Sequence, residues 1–237
     1  MVYHMPECRD FSSFLLSAEL SDVTIQYEDG LLPVHKIILA QASEYFKTLL
    51  TGPFAEAGQR IVELIDDPPM AIEGMIAWIY GMQFNPRDRY NKYIENFHFV
   101  TSDETGVEFV KYQADLFFTA EKYLLSRLAT SVEGYFFHML LDVSRQVEFL
   151  HVIAKHVYIA RAEEAVALRV HVANAYLERI RSIKDTEELK QLLLDIPELA
   201  FDIIRAGATL PAAEEEDDKP RKVSSGSGAF PPLPRSR

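Results

Sequence analysis

The chain has 237 residues, 48% apolar and 25% charged, the balance of a globular protein long enough for one or two sizeable cores. Its formal charge is −12, and none of that charge comes from residues 209–237, where five acids (Glu214, Glu215, Glu216, Asp217, Asp218) meet five bases (Lys219, Arg221, Lys222, Arg235, Arg237). A body that acidic repels phosphate backbones, which argues against nucleic-acid binding, and with no run of about 18 apolar residues no membrane-spanning helix is expected.

Met1 to Asp10 lacks a basic region followed by an apolar stretch, so no secretory signal is expected. Cys8 is the only cysteine, and no Asn-x-Ser/Thr sequon occurs. Cytosol or nucleus, both reducing, is the natural compartment. Phe11, Phe14, Leu15 and Ala18 recur at helical spacing and predict a short amphipathic helix, with Leu16 off its main stripe. Val23 and Ile25 alternate with Thr24 and Gln26, the period of a strand with one wet face. Glu28-Asp29-Gly30 suits a tight hairpin, because glycine accepts positive φ. A return strand leads to Pro33-Val34-His35-Lys36 and the short apolar run Ile37-Ile38-Leu39-Ala40. Ser43 is a good N-cap for the next helix, on which Tyr45, Phe46, Leu49 and Leu50 share one face. Thr51-Gly52-Pro53 stops it.

Gln59 to Leu64 reads as a third strand. Asp66-Asp67-Pro68-Pro69 is a helix start, with Asp able to cap and Pro tolerated in the first turn. Ile72, Met75, Ile76, Ile79 and Tyr80 form its apolar stripe. Residues 82–110 break the pattern and read as an insertion, with a short element expected around Phe97–Val100. Helical character resumes at Lys111 and runs through Asp115–Tyr123 to Leu128. Val143, Val147, Leu150, Ala154 and Val157 are spaced 4-3-4-3, and so are Val166, Val170, Ala173, Leu177 and Ile180. Asp185 with Glu188 is a candidate capping box, and Pro197 opens a last helix ending near Gly207. Four helices are thus expected before an acidic, Ser/Gly/Pro-rich tail at 209–237, expected to be disordered.

Residues 21–46, with Ser-Asp-Val-Thr-Ile, the hairpin, His35-Lys36, Leu39-Ala40, Ser43 and Phe46, resemble the BTB/POZ domain family, and Ala120-Glu121-Lys122-Tyr123 resembles a later helix of that family. The resemblance covers about residues 8–140, and the insertion at about 82–110 is similar to those of BTB proteins from filamentous fungi. It implies an α+β fold, a small sheet flanked by helices, followed over 141–208 by an all-helical extension. It also implies a protein–protein interaction module and no enzyme.

Site residues follow from the same resemblance. Phe11, Phe14, Leu15 and Leu16 are expected either to pack against their twins across a homodimer interface or to cap their own core. Asp22 and Lys36 fall near the floor of the dimer groove, as an ion pair that serves either the fold or a partner's backbone. Phe54-Ala55-Glu56 matches the apolar-x-Glu loop of BTB adaptors for cullin-RING ubiquitin ligases. With Tyr45, Phe46 and Leu49 on the preceding helix, Phe54 and Glu56 make up the expected cullin contact; the alternative is a loop with Phe54 packed down and Glu56 solvated. An adaptor would also hold a protein client, whereas an oligomerisation scaffold in transcriptional or signalling assemblies would need no ligase.

His35 has no second ligand or base at metal or catalytic spacing and reads as a core histidine. Pro231-Pro232-Leu233-Pro234-Arg235 resembles a polyproline ligand for SH3-type domains, set against a plain solvated tail. Glycine-rich phosphate loops and His-Glu-x-x-His are missing, so no cofactor or metal is expected.

Overall fold

The computed structural model describes residues 11–15, 17, 19–28, 30–53, 58, 60–82, 106–145, 147–160, 165–179 and 187–208. Strands β1 (Val23–Tyr27), β2 (Gly30–Val34) and β3 (Ile61–Glu63) form one sheet in the order β2-β1-β3. β1 pairs antiparallel with β2, with Val23 opposite Val34, and parallel with β3, with Ile25 opposite Val62. The alternation read in β1 is met: Val23, Ile25 and Tyr27 are buried, while Thr24 and Gln26 face outward.

The hairpin differs from expectation. Positive φ falls on Glu28 (36°), not on Gly30. Gly30 is needed for another reason: a Cβ there would overlap the Tyr27 ring. The N-terminal segment also differs, because residues Ser12–Phe14 form only a 3-10 turn.

α1 (Lys36–Ala42) and α2 (Glu44–Thr51) follow β2, and α3 (Pro69–Ile79) follows β3. Ser43 caps α2 as expected, its hydroxyl accepting the Phe46 N–H at 3.2 Å. α3 opens on Pro69, with Pro68 at its N-cap position. α4 (Gly106–Lys122) and α5 (Ser126–Val143) pack against each other and, through α4, against α3. The last five residues of the stretch read as an insertion, 106–110, are therefore helical.

α6 (Val147–Ala160), α7 (Val166–Arg179), α8 (Glu187–Asp195) and α9 (Pro197–Ala208) complete the chain, four helices as expected. The core face of α7 departs from the stripe expected, of which Ala173 is buried. Leu168, Val172, Ala175 and Tyr176 are buried, while Val166 and Val170 are exposed. Spacing alone cannot choose between two such faces; the ring of Tyr176, stacked on His151 of α6 at 5.8 Å, fixes this one. The predicted element around Phe97–Val100, the capping residue Asp185 and the tail lie outside the described residues.

Candidate interaction site

The start of the chain, β2 and the end of α3 converge on Tyr80, which is fully buried. Its hydroxyl accepts the His35 backbone N–H at 2.9 Å and contacts His35 Nδ1 at 2.8 Å. Its carbonyl accepts the Phe11 N–H at 2.9 Å. His35 Nε2 lies 3.1 Å from the Glu19 carbonyl, which can only accept, so Nε2 carries the proton and Nδ1 receives the Tyr80 hydroxyl. Burial pushes the Tyr80 hydroxyl up to about 12, the hydrogen bond from His35 opposes this and the Asp22 charge adds to it. His35 is thus a core histidine, as read.

The residues expected at a dimer interface divide here. Phe14 is 40% exposed and meets His35 edge-on at 5.8 Å. Phe11 is half-buried against the core. Leu15 is buried in its own core, a correction to the expectation that it faces a twin. Leu16 lies outside the described residues. The two residues of the expected Asp22–Lys36 charge pair meet through the backbone: the Asp22 carboxylate accepts the backbone N–H of Lys36 at 2.8 Å. It thereby satisfies an orphan donor at the start of α1, where a negative charge also suits the helix dipole. This contact serves the fold.

The second convergence lies between α2 and the end of α4. The Phe46 ring is fully buried and stacks on Tyr123 at 5.4 Å and 8°. Phe46 is therefore core, and its expected place in a partner-facing surface is corrected: on α2 it points inward, where Tyr123 supplies the matching ring. Along α2, Tyr45 and Leu49 are half-buried and Thr48 is exposed. Phe54 and Glu56 lie outside the described residues.

The Ser43 hydroxyl donates to the Tyr123 carbonyl at 2.6 Å while it caps α2. The Tyr123 hydroxyl donates to the buried Asp67 carboxylate at 2.6 Å, and Lys122 Nζ reaches the same oxygen at 2.6 Å. The Lys122 ammonium makes its bond to this buried carboxylate a charge-assisted one. Sequence reading noticed the Lys122-Tyr123 pair but not its partner, which lies 55 positions earlier.

The helical extension has its own polar clamps, none of them foreseen. His156 on α6 meets Asp115 on α4 at 2.8 Å, and His171 on α7 meets Glu133 on α5 at 3.0 Å. Asp202 on α9 accepts from Arg169 at 2.9 Å and from the Tyr158 hydroxyl at 3.0 Å. The Arg169 guanidinium also lies over the Tyr158 ring, 4.7 Å from its centre. Among the described residues no group of three or more His, Cys, Asp or Glu is placed to hold a metal ion. No described helix is long and apolar enough to cross a membrane.

Comparison with known families decides what these convergences belong to. Residues 11–104 match the family model of the BTB/POZ domain. That segment is a BTB/POZ domain. Its curated relatives include Kelch-like protein 26 of Danio rerio, 27% identical over 154 residues, and BTB/POZ domain-containing protein 9 of Drosophila melanogaster, 35% identical over 72. The first match takes in 61% of this chain and 26% of the relative, the second 30% and 10%. The chain thus spans about a quarter or less of the length of these relatives. The solved BTB domain of human gigaxonin superposes with a TM-score of 0.36 at 20% identity, over 56% of this chain and 99% of that one. The match to Kelch-like protein 26 is longer than the BTB/POZ segment 11–104, so the likeness runs on into the helices beyond it. The BTB/POZ positions that carried the resemblance, His35, Ser43, Phe46 and Tyr123, are all buried and hold the fold together.

Proposed function

We propose that this protein is a homodimeric interaction module that acts as a substrate adaptor for a cullin-RING ubiquitin ligase. In this reading residues 8–140 form the BTB/POZ unit with its insertion, 141–208 the helical extension that helps hold a client protein, and 209–237 a tail. The setting is cytoplasmic or nuclear. The observation that supports it most is the likeness to Kelch-like protein 26 over 61% of this chain, which reaches past the segment 11–104 into α4 and α5. Tyr45, Thr48 and Leu49 on α2 support a contact along that helix, which precedes Phe54-Ala55-Glu56 in the chain. The burial of Phe46 removes one expected contact and favours the second reading, an oligomerisation scaffold without a ligase role.

Calorimetric titration with the N-terminal region of a cullin separates the two. The adaptor binds, and Phe54→Ala weakens binding about 30-fold, as expected for loss of a central aromatic worth about 2 kcal/mol, with the melting temperature unchanged. Glu56→Ala has a smaller effect, that of one hydrogen bond worth about 1 kcal/mol. Absence of binding by the wild type at about 50 micromolar, a concentration at which even a weak specific complex forms, leaves the scaffold. Unfolding by Phe54→Ala places Phe54 in the core instead.

A further inference from the structure

The sheet has two outer edges, and they are built differently. On β2, Val34 faces β1, since its carbonyl accepts the Asp22 N–H. Backbone groups alternate sides along a strand, so Pro33 faces away from β1. Having no N–H, it blunts that edge against further pairing. On β3, the Arg60 carbonyl accepts the Thr24 N–H at 2.7 Å and the Leu64 N–H donates to the Gln26 carbonyl at 2.8 Å. The same alternation turns the N–H and C=O groups of Ile61 and Glu63 outward. Among the described residues these outward groups have no partner. Neither proline nor lysine guards the strand. The open stretch ends at Ile65, whose carbonyl accepts Lys122 Nζ at 2.9 Å.

The side chains along this edge are also informative. Val62 and Leu64 are buried in the core, whereas Ile61 is 50% and Ile65 60% exposed, with exposed Glu63 between them. Arg60 has the parity of Val62 and Leu64, on the opposite face. The edge therefore offers four backbone hydrogen bonds and a carboxylate flanked by two apolar side chains. We propose that the open edge of β3 takes up an extended segment of a partner protein as a fourth strand. That segment carries a basic residue opposite Glu63 and apolar residues two positions to either side. Main-chain bonds supply the affinity and the alternate side chains the specificity. A second copy of this chain fits poorly: two-fold pairing of β3 with itself brings the two Glu63 carboxylates together, and each copy carries a formal charge of −12.

This surface is separate from the cullin contact of the preceding reading, and the test does not use a cullin. The probe is the blocked peptide Thr-Val-Thr-Lys-Thr-Val-Thr, titrated into the full chain and followed by residue-resolved amide exchange. Saturable binding is expected, with exchange slowed at Ile61 and Glu63. A Glu-centred peptide binds about fivefold more weakly, the size of a cross-strand charge effect, and Glu63→Lys reverses that preference. Three outcomes overturn the proposal. The Ile61 and Glu63 amides are already protected in the free chain. A peptide N-methylated at alternate amides binds equally well. Glu63→Lys changes the self-association of the chain while leaving peptide preference untouched.

Discussion

Tight backbone contact at Gly74 sets what α3 tolerates. A Cβ on Gly74 would overlap the Tyr112 hydroxyl and lie 3.4 Å from Leu116 Cδ1, both on α4. Tyr112 is buried, and burial together with the Glu73 charge raises its hydroxyl pKa well above the ordinary value. Gly74→Ala is expected to lower stability by about 1–3 kcal/mol, the usual effect of overpacking, and Tyr112→Phe in the same chain should restore part of it. Equal losses in the single and double variants, measured by urea unfolding, would show that the hydroxyl is not the obstacle. Leu124 presents the opposite case. It holds φ 56° in the turn from α4 to α5 and is 59% exposed. The Leu125 N–H reaches back to the Ala120 carbonyl and the Leu124 N–H to Glu121, a helix ending that normally takes glycine. Leu124→Gly should raise stability by about 1 kcal/mol, because it relieves a left-handed backbone at little loss of packing. A lower melting temperature would mean that the exposed leucine packs more than its exposure suggests.

At the level of elements, periodicity located most of the fold. β1, the pair α1–α2 and the four late helices stand where residue spacing put them, because those patterns reflect burial by the chain's own core. Spacing could not say which face of α7 turns inward, since Val166 and Val170 are as apolar as Leu168 and Val172. It also missed every polar clamp, because Asp67 and Lys122, or Arg169 and Asp202, look like ordinary surface charges until folding joins them. One such join is testable by pH. On α6, His151 Nδ1 is hydrogen-bonded with the Tyr176 hydroxyl at 2.7 Å, and its Nε2 is buried without a partner among the described residues. Burial lowers the His151 pKa below 6.5; Glu188 and Glu148 oppose this and Lys155 adds to it. The unfolded chain therefore takes up the proton first, so the stability contributed by neutral His151 is present above pH 6.5 and lost as pH falls below it. Thermal melts between neutral and mildly acidic pH should fall less steeply for His151→Gln than for the wild type. Parallel curves would remove His151 from the acid response.

For the whole molecule, the proposed homodimer meets an electrostatic obstacle. Each copy carries a formal charge of −12, so association should tighten as salt screens the repulsion. Because Leu15 is buried in its own core, the informative substitution is Phe14→Asp alone, at a ring that is 40% exposed. Light scattering is expected to find a dimer for the wild type and a monomer for Phe14→Asp, with unchanged circular dichroism. A wild type that stays monomeric at high salt and tens of micromolar would exclude the dimer. The site was less legible than the fold for a physical reason. The resemblance rested on residues such as His35 and Phe46, which are legible in sequence because they build the interior, and interior residues do not touch partners.

The hydroxyl of Ser43 binds a carbonyl 80 positions further along the chain. During synthesis, Tyr123 is made roughly 4–16 seconds after Ser43 at ordinary elongation rates. Over that time the Phe46 ring lacks Tyr123, and Asp67 lacks Lys122 and Tyr123. The nascent sheet with α1 to α3 therefore emerges with these contacts still unmade, and they close only when the end of α4 arrives.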